Sequence, residues 1–324
     1  MFGLLPNLEQ LNITQGTLIA SAGDCSTPIS RLKELKVLST YVHSDTPQAL
    51  LQLLSAFIHI DHLYVSCLSW GGVPTNSADA AASSVLSDRP GFPSHLQVSC
   101  LTMIEDGQPF IPGLLALMQR TASVHTVADL RLQCSDARSV VAAGTFLSHP
   151  NTAIHSLSID LAFPTRGVIY TPYEPAIWRQ LNLRDAHPLK HLRIVVQLEL
   201  SRGRQYVADQ VLTATSILDD CADALESITF FVWVDLEPHL ALPCLYKLGS
   251  EFVWLRTTLL KKPALRKVRW LWAAPEQGFD LAGQRAALDA AVRSRLAGLQ
   301  RECSLDFGAW EETDTSLGAW LRGI

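Results

Sequence analysis

Short stretches of alternating apolar and polar residues recur along the chain. In HPLKHLRIVV, residues 187–196, they follow the frame apolar-x-x-apolar-x-apolar, which occurs nine times. The intervening positions are polar in every copy except at Tyr64, Cys100 and Ala128. Successive side chains of a strand point to opposite faces, so each copy predicts a short strand with one buried and one polar face. The copies begin at Leu8, Leu32, Ile60, Val98, Val127, Ile154, Leu189, Leu225 and Leu265.

The segments between the copies have helical character. Asp45-Thr46-Pro47 offers a capping residue and an early proline before ALLQLLSAFIH, whose leucines have helical spacing. Strands that alternate with helices pair in parallel, and right-handed crossovers place the helices on one side. The pattern therefore predicts an α/β solenoid, with strands on its concave face and helices on its convex face. Further helices are predicted over 112–122, 136–148, 206–224, 244–261 and 281–301.

Two stretches interrupt the repeat. Residues 70–95 are rich in Gly, Pro, Ser and Ala, and residues 163–176 contain three prolines and two tyrosines. Both are predicted to be long surface loops rather than domain linkers, because the repeat continues beyond them. We therefore expect one solenoid over residues 1–324, with a last strand in SLDF, residues 304–307.

Composition narrows the class of protein. The formal charge of −5 gives no global attraction to nucleic acid or to an anionic membrane. No apolar stretch is long enough to span a bilayer, and the N-terminus lacks the features of a secretory signal. Seven widely spaced cysteines are typical of reduced thiols. We expect an intracellular protein, cytoplasmic or nuclear.

Other chemistry is suggested by four clusters, and each has an ordinary explanation. Two histidine pairs flank strands, where metal-binding geometry is not expected. An acidic cluster at a helix end lacks a calcium-loop pattern, and a basic stretch beside tryptophans fits a helix C-terminus followed by core residues. No catalytic or nucleotide-binding motif occurs, and no cofactor is predicted. The clusters are His59/His62, His187/His191, Asp219/Asp220/Asp223 and Lys261/Lys262/Arg266/Lys267/Arg269 with Trp270/Trp272.

Six of the eight tryptophans follow residue 230. Tryptophan is enriched in protein interfaces, but wide repeats with large core side chains would give the same clustering. The sequence favours the second explanation and leaves the first open.

The segments LPNLEQLNI, LKELKVL, LKHLRIV and ALRKVRW resemble the irregular leucine-rich repeats of fungal F-box-type proteins. The resemblance implies a leucine-rich-repeat-like solenoid that holds a client protein for a ubiquitin ligase. Two features depart from that family. The asparagine that normally follows each strand is replaced, for example by Gly16, Thr40 and Leu68, and no F-box is visible before Leu8. The exposed N-terminal edge is therefore expected to pair with a partner or a second copy.

The function expected from this pattern is a non-catalytic scaffold for protein–protein interaction. The binding face would be the concave face, where four of the nine central polar sites are Lys or Arg, so the client is expected to carry an acidic patch. The candidate partner-binding residues are Lys36, His62, Tyr64, Asp129, Arg131, His191, Arg193, Lys267 and Arg269.

Two alternatives remain open. One is a hydrolase-like enzyme with a shallow site on the loops 70–95 and 163–176, because loops on rigid scaffolds often carry chemistry. The other is a fragment of a longer F-box receptor that has lost its upstream segment.

Overall fold

A computed structural model describes residues 8–19, 29–42, 48–70, 93–105, 110–161, 175–199, 204–235, 243, 245–273 and 281–309. The described residues divide into two compact units, unit 1 up to Ile154 and unit 2 from His155 onward. Most of both predicted loops lies outside the described residues, at 71–92 and 162–174. The continuous solenoid therefore stays a prediction, and each unit is described by itself.

Unit 1 is built on five parallel strands that pair side by side in chain order. They are β1 (Gln10–Thr14), β3 (Ile29–Leu38), β5 (Phe57–Ser66), β7 (Gln97–Ile104) and β8 (Asp129–Gln133). Three two-residue strands form a second small parallel sheet: β2 (Thr17–Leu18), β4 (Tyr41–Val42) and β6 (Ser69–Trp70). The helices are α1 (Gln48–Ser55), α2 (Ile111–Met118) and α3 (Ala137–Leu147), with a 3-10 helix at Ala122–His125.

Unit 2 has the same construction, again with five parallel strands in chain order. They are β9 (Ser156–Asp160), β10 (His191–Glu199), β11 (Ser227–Asp235), β12 (Lys267–Ala273) and β13 (Ser304–Ala309). The helices are α4 (Pro175–Trp178), α5 (Arg204–Asp219), α6 (Gly249–Leu260) and α7 (Leu281–Arg295), with 3-10 helices at Arg179–Leu181 and Leu299–Arg301. Helix α6 contacts both α5 and α7. The predicted α/β class and parallel pairing are confirmed.

The strand pairing aligns equivalent positions of the repeated frame. Leu35 pairs with Leu63 and then with Leu101 in unit 1, and Leu192 pairs with Ile228 in unit 2. These side chains are at most 1% exposed. Burial of an aliphatic side chain contributes about 1.5–3 kcal/mol, and each of these is covered by its neighbours in the next repeat.

The two polar positions after the first apolar residue of each frame lie where neighbouring strands begin to pair. In unit 2 the amides of Glu226 and Ser227 both donate to the carbonyl of Lys190, and those of Arg266 and Lys267 both donate to Glu226. One carbonyl of each strand thus accepts two successive amides of its neighbour, just before the first residue pair of the ladder.

A left-handed turn follows three consecutive strands of unit 1. Gln15, Ser39 and Cys67 have φ values of 53°, 46° and 52°. Their amides donate to the carbonyls of Leu38, Ser66 and Ile104 on the neighbouring strand. Each of these bonds extends the backbone pairing by one residue beyond the paired strand residues.

Several predicted boundaries were wrong. The helix predicted through ALLQLLSAFIH ends at Ser55, and Ile58 lies in β5, which begins at Phe57. The apolar residues beyond Ser55 belong to β5, because aromatic and β-branched residues such as Phe57 and Ile58 favour a strand over a helix. The helix predicted to reach residue 224 ends at Asp219. The helix predicted over 244–261 is interrupted at Leu248, with helical residues 245–247 before it and Gly249–Leu260 after it. The predicted last strand at 304–307 is confirmed as β13.

Candidate protein-binding face

The candidate residues of unit 1 lie in two adjacent rows on one face of the sheet. Register pairs Lys36 with Tyr64, Tyr64 with Thr102 and Thr102 with Arg131. The second row is Glu34, His62, Cys100 and Asp129. Both rows alternate along each strand with the buried leucine row, so they occupy the opposite face. We call them the polar face of unit 1.

Exposure differs sharply within this face. Tyr64 is 1% exposed and Arg131 is 8% exposed, whereas Lys36, His62 and Asp129 are half-buried. Neighbouring strands lie about 4.8 Å apart, so large side chains in one row pack against one another and exclude water. Tyr64 and Arg131 therefore offer little of their surface to a partner.

Charges on the polar face of unit 1 are paired locally. Lys36 Nζ lies 3.2 Å from Glu34 Oε2, and Arg131 Nη2 lies 3.0 Å from Asp129 Oδ2. Each cation thus has a carboxylate on its own strand, two residues earlier. The paired charges give this face a balanced potential rather than the positive one expected from counting Lys and Arg alone.

His62 sits at the centre of this face between an acid and a hydroxyl. Its Nε2 lies 3.0 Å from Thr102 Oγ1, and its Nδ1 lies 3.5 Å from Glu34 Oε1. Burial lowers the pKa of the His62 imidazole below its ordinary 6.5, and the positive charge of Arg131 lowers it further. The neutral ring therefore dominates at pH 7. Thr102 is fully buried, at 0% exposure.

The candidate residues of unit 2 lie in the equivalent two rows, which we call the polar face of unit 2. Register pairs Arg193 with Ser158 and Thr229, and Thr229 with Arg269. The adjacent row is Ser156, His191, Ser227, Lys267 and Ser304. His191, Lys267 and Arg269 are exposed, and Arg193 is half-buried.

Small hydroxyl residues separate the basic side chains of this face. His191 Nδ1 lies 2.8 Å from Ser227 Oγ, and Arg193 Nη1 donates to Ser158 Oγ at 3.4 Å. Short neighbours leave the heads of the long basic side chains accessible to solvent. The result is a polar surface on which His191, Lys267 and Arg269 are exposed, while Ser158 and Thr229 beneath them are buried.

The two rows of unit 2 carry an excess of positive charge. The two rows contain Arg193, Lys267 and Arg269 and one acid, Asp306, which lies 3.1 Å from Lys267. A further carboxylate, the buried Asp160, lies two residues after Ser158 on the same side of β9. Hydrogen bonds from Ser304 and Lys267 hold the pKa of the Asp306 carboxyl below its ordinary 3.8. An exposed pair of this kind contributes only about 0–1 kcal/mol, so a partner's carboxylate can compete for Lys267.

Sequence reasoning missed two members of these faces, Glu34 and Asp306. Glu34 lies at a polar position of the repeated frame. It could have been found by extending the row of His62 to the neighbouring strand. Asp306 lies in β13, whose frame begins with Glu302 instead of an apolar residue. Both balance charges that the sequence counted as unpaired.

The remaining clusters are engaged in ordinary contacts. His59 Nε2 lies 2.8 Å from Asp61 Oδ1, while Lys261 and Arg184 form ion pairs with Asp219 and Asp220. Trp270 is 3% exposed, which confirms the core position predicted for it, and Trp272 is fully buried as well. Within the described part of the chain, no three His, Cys, Asp or Glu side chains are grouped to hold a metal ion.

Comparison of the sequence with protein-family models and with curated proteins finds no match. None of the helices in the described ranges combines the length and the apolar character needed to cross a membrane.

Proposed function

We propose that this chain is a non-catalytic, leucine-rich-repeat-like scaffold that binds a protein client through the polar strand faces. The polar face of unit 2 is the main contact surface. The observation that carries the proposal is the placement of Arg193, Lys267 and Arg269 in two adjacent rows of one polar face. Its excess positive charge favours an acidic segment of the client.

The polar face of unit 1 has a secondary role in this proposal. Lys36, His62 and Asp129 are half-buried and supply hydrogen-bonding groups at the surface, while Tyr64 and Arg131 form their packed support. Because positive and negative charges balance on this face, it contributes to the orientation and selectivity of client binding rather than to attraction of the client.

The test is charge reversal on the face of unit 2. R193E/K267E/R269E is compared with R138E/R184E/R301E, which reverses three exposed arginines outside the two polar faces. A client is captured from cell extract, identified, produced in recombinant form and titrated against both variants. We expect the first triple variant to weaken binding at least about tenfold and the control to change it about twofold or less. Equal binding by all three proteins would remove this face from the proposal.

The family resemblance extends the proposal to ubiquitin ligation, with these repeats serving as the client-binding region of an F-box-like receptor. Depleting the chain in cells is then expected to raise the steady-state level of the client identified above. A client level that does not change, at unchanged synthesis, would confine the function to binding.

A hydrolase-like enzyme is the second candidate. The observation that favours it is that His62 lies between the Glu34 carboxylate and the Thr102 hydroxyl. An acid, a neutral imidazole and a hydroxyl in this sequence can activate the hydroxyl as a nucleophile. The complete burial of Thr102 counts against it, since substrate has no access to the hydroxyl. Hydrolysis of p-nitrophenyl acetate that disappears in both H62Q and T102V would favour the enzyme, and equal rates in all three proteins would dismiss it.

A further inference from the structure

Helix α6 carries apolar residues on its solvent side as well as on its core side. Phe252, Leu255 and Leu259 are buried, but Val253 and Trp254 are 46% and 59% exposed. Glu251, Arg256 and Thr257 supply polar positions, so only part of the outer side of this helix is apolar. The outer face of α6 has this surplus apolar surface, which the fold of unit 2 does not use.

A cavity of about 360 Å³ lies beside this face, between α5 and α6. Each helix lines it with one two-turn stripe at spacing i, i+3, i+4 and i+7, which is one helical face. The stripe of α5 is Leu212, Thr215, Ser216 and Asp219, and that of α6 is Trp254, Thr257, Thr258 and Lys261. Short hydroxyl residues in the middle of both stripes leave a trough between the two helices.

The two ends of the trough differ in chemistry. Leu212 and Trp254 form an apolar end, with the indole largely exposed. Asp219, Lys261 and Arg179 line the other end, two helical turns or about 10 Å away. Two cations face one carboxylate there, and the ion pair between Lys261 and Asp219 is long, at 3.8 Å, with both side chains more than 60% exposed.

We propose that this trough is a second docking site, which takes an amphipathic helix of a partner protein. An apolar side chain of that helix packs against Trp254 and Leu212. A Glu or Asp about two turns along it binds Lys261 and Arg179, replacing the long internal ion pair. Helix-in-groove recognition uses this spacing of anchors, and an exposed Trp is a common energetic centre of an interface. This site lies on the helices and does not depend on the strand-face proposal.

The charge at the Lys261 end decides between partner classes. A net positive end selects an acidic helix and disfavours a basic one by like-charge repulsion. A second copy of the same chain would bring another exposed Trp254 surface and another cationic end, so self-association is not the expected use.

The experiment selects helical peptides from a displayed library against the full-length chain. Enriched peptides are expected to combine an apolar anchor with Asp or Glu about two turns away. One such peptide and its Glu-to-Lys counterpart are then titrated into protein labelled with 5-fluorotryptophan. The fluorine signal of Trp254 is assigned by its loss in W254F. We expect the acidic peptide to shift this signal saturably and the basic peptide to bind at least about tenfold more weakly.

Matched variants give the decisive comparison. W254S should weaken the acidic peptide at least about tenfold, and R179E/K261E should reverse the preference between the two peptides. V141S, which alters an exposed valine of α3 in unit 1, should leave both affinities unchanged. The proposal is overturned if no peptide is enriched, if W254S binds normally, or if the charge variants show no reversal. Sedimentation that detects self-association lost in W254S would assign the trough to a second copy instead.

Discussion

Lys262 Nζ donates a hydrogen bond of 2.6 Å to the main-chain carbonyl of Cys221, just beyond the C-terminus of α5. Lys262 is only 8% exposed, whereas its neighbour Lys261 has a side chain that is 65% exposed. A buried ammonium at this position compensates the partial negative charge of a helix C-terminus. One of two adjacent lysines is therefore structural, and the other is at the surface.

Replacing Lys262 by methionine should lower the free energy of unfolding by about 1–3 kcal/mol, because the buried carbonyl loses a charged donor. The matched change Lys261→Met should cost less than about 0.5 kcal/mol. Urea denaturation followed by circular dichroism measures both. Equal effects of the two substitutions would contradict the structural role of Lys262.

Trp270 and Trp272 offer a second matched pair. Both are buried in a cluster in which Trp270 lies 4.6 Å from the Phe230 ring and 6.1 Å from Trp272. Trp272 Nε1 donates to Asp289 Oδ1 at 2.7 Å, whereas Trp270 Nε1 has no partner among the described residues. We expect W272F to destabilise the protein by about 1 kcal/mol more than W270F, since only W272F removes a hydrogen bond. Thermal unfolding of the two variants gives the difference.

Glu105 is a buried carboxylate that joins two helices of unit 1. It accepts hydrogen bonds from the amides of Phe110 and Ile111 at the start of α2 and from Ser135 and Ser139 near the start of α3, at 2.7–3.0 Å. E105Q should destabilise the protein at pH 7 by about 1–3 kcal/mol, because one end of the amide would place N–H groups against these donors. The exposed change E302Q is the control.

The pH dependence of this effect has a defined sign. Burial raises the pKa of the Glu105 carboxyl above its ordinary 4.5, and the donors offset part of the shift. A raised folded-state pKa contributes stability that is complete below pH 4.5 and is lost as the pH rises through the folded value. The stability difference between wild type and E105Q should therefore shrink from pH 4 to pH 7. A difference that grows over this range would show that the donors outweigh burial.

The contribution of His62 to stability should depend on pH in the opposite direction. Its folded-state pKa is lowered from 6.5, so its contribution to stability is present above pH 6.5 and is lost as the pH falls through the folded value. We expect wild type to lose more stability than H62Q between pH 7 and pH 5. Parallel curves for the two proteins would mean that burial and Arg131 do not shift this imidazole.

Substitutions of Ser39 test whether the left-handed turns of unit 1 are strained. A non-glycine residue at φ 46° is strained, and glycine relieves that strain at some cost in chain entropy. S39G should stabilise the protein by about 0.5–1 kcal/mol, while S39A, which keeps the strain, should not. Differential scanning calorimetry compares the two variants.

Much of the strand framework could be predicted from sequence because the frame fixes which residues face the core. All nine predicted strands appear, and the tenth lies where SLDF indicated. The helix ends were less predictable, as at Ser55 and Phe57, because an apolar run looks the same in a helix and in a buried strand until its pairing partner is known.

The candidate face was predictable as a set of positions but not as a surface. The sequence correctly aligns Lys36, Tyr64 and Arg131 on one side of unit 1, yet only the neighbouring strands reveal that Tyr64 and Arg131 are buried. Glu105 and the trough beside Trp254 had no sequence signal, because each depends on residues from separate helices that meet only in the folded chain.

The repeated frame was enough to predict the alternation of buried and polar positions, because side-chain direction in a strand is a local property of the backbone. The tertiary structure alone decided which charges are neutralised, which polar groups are buried and which tryptophan stays at the surface. Those properties depend on distances between residues of different repeats, and such distances exist only after the strands and helices have packed.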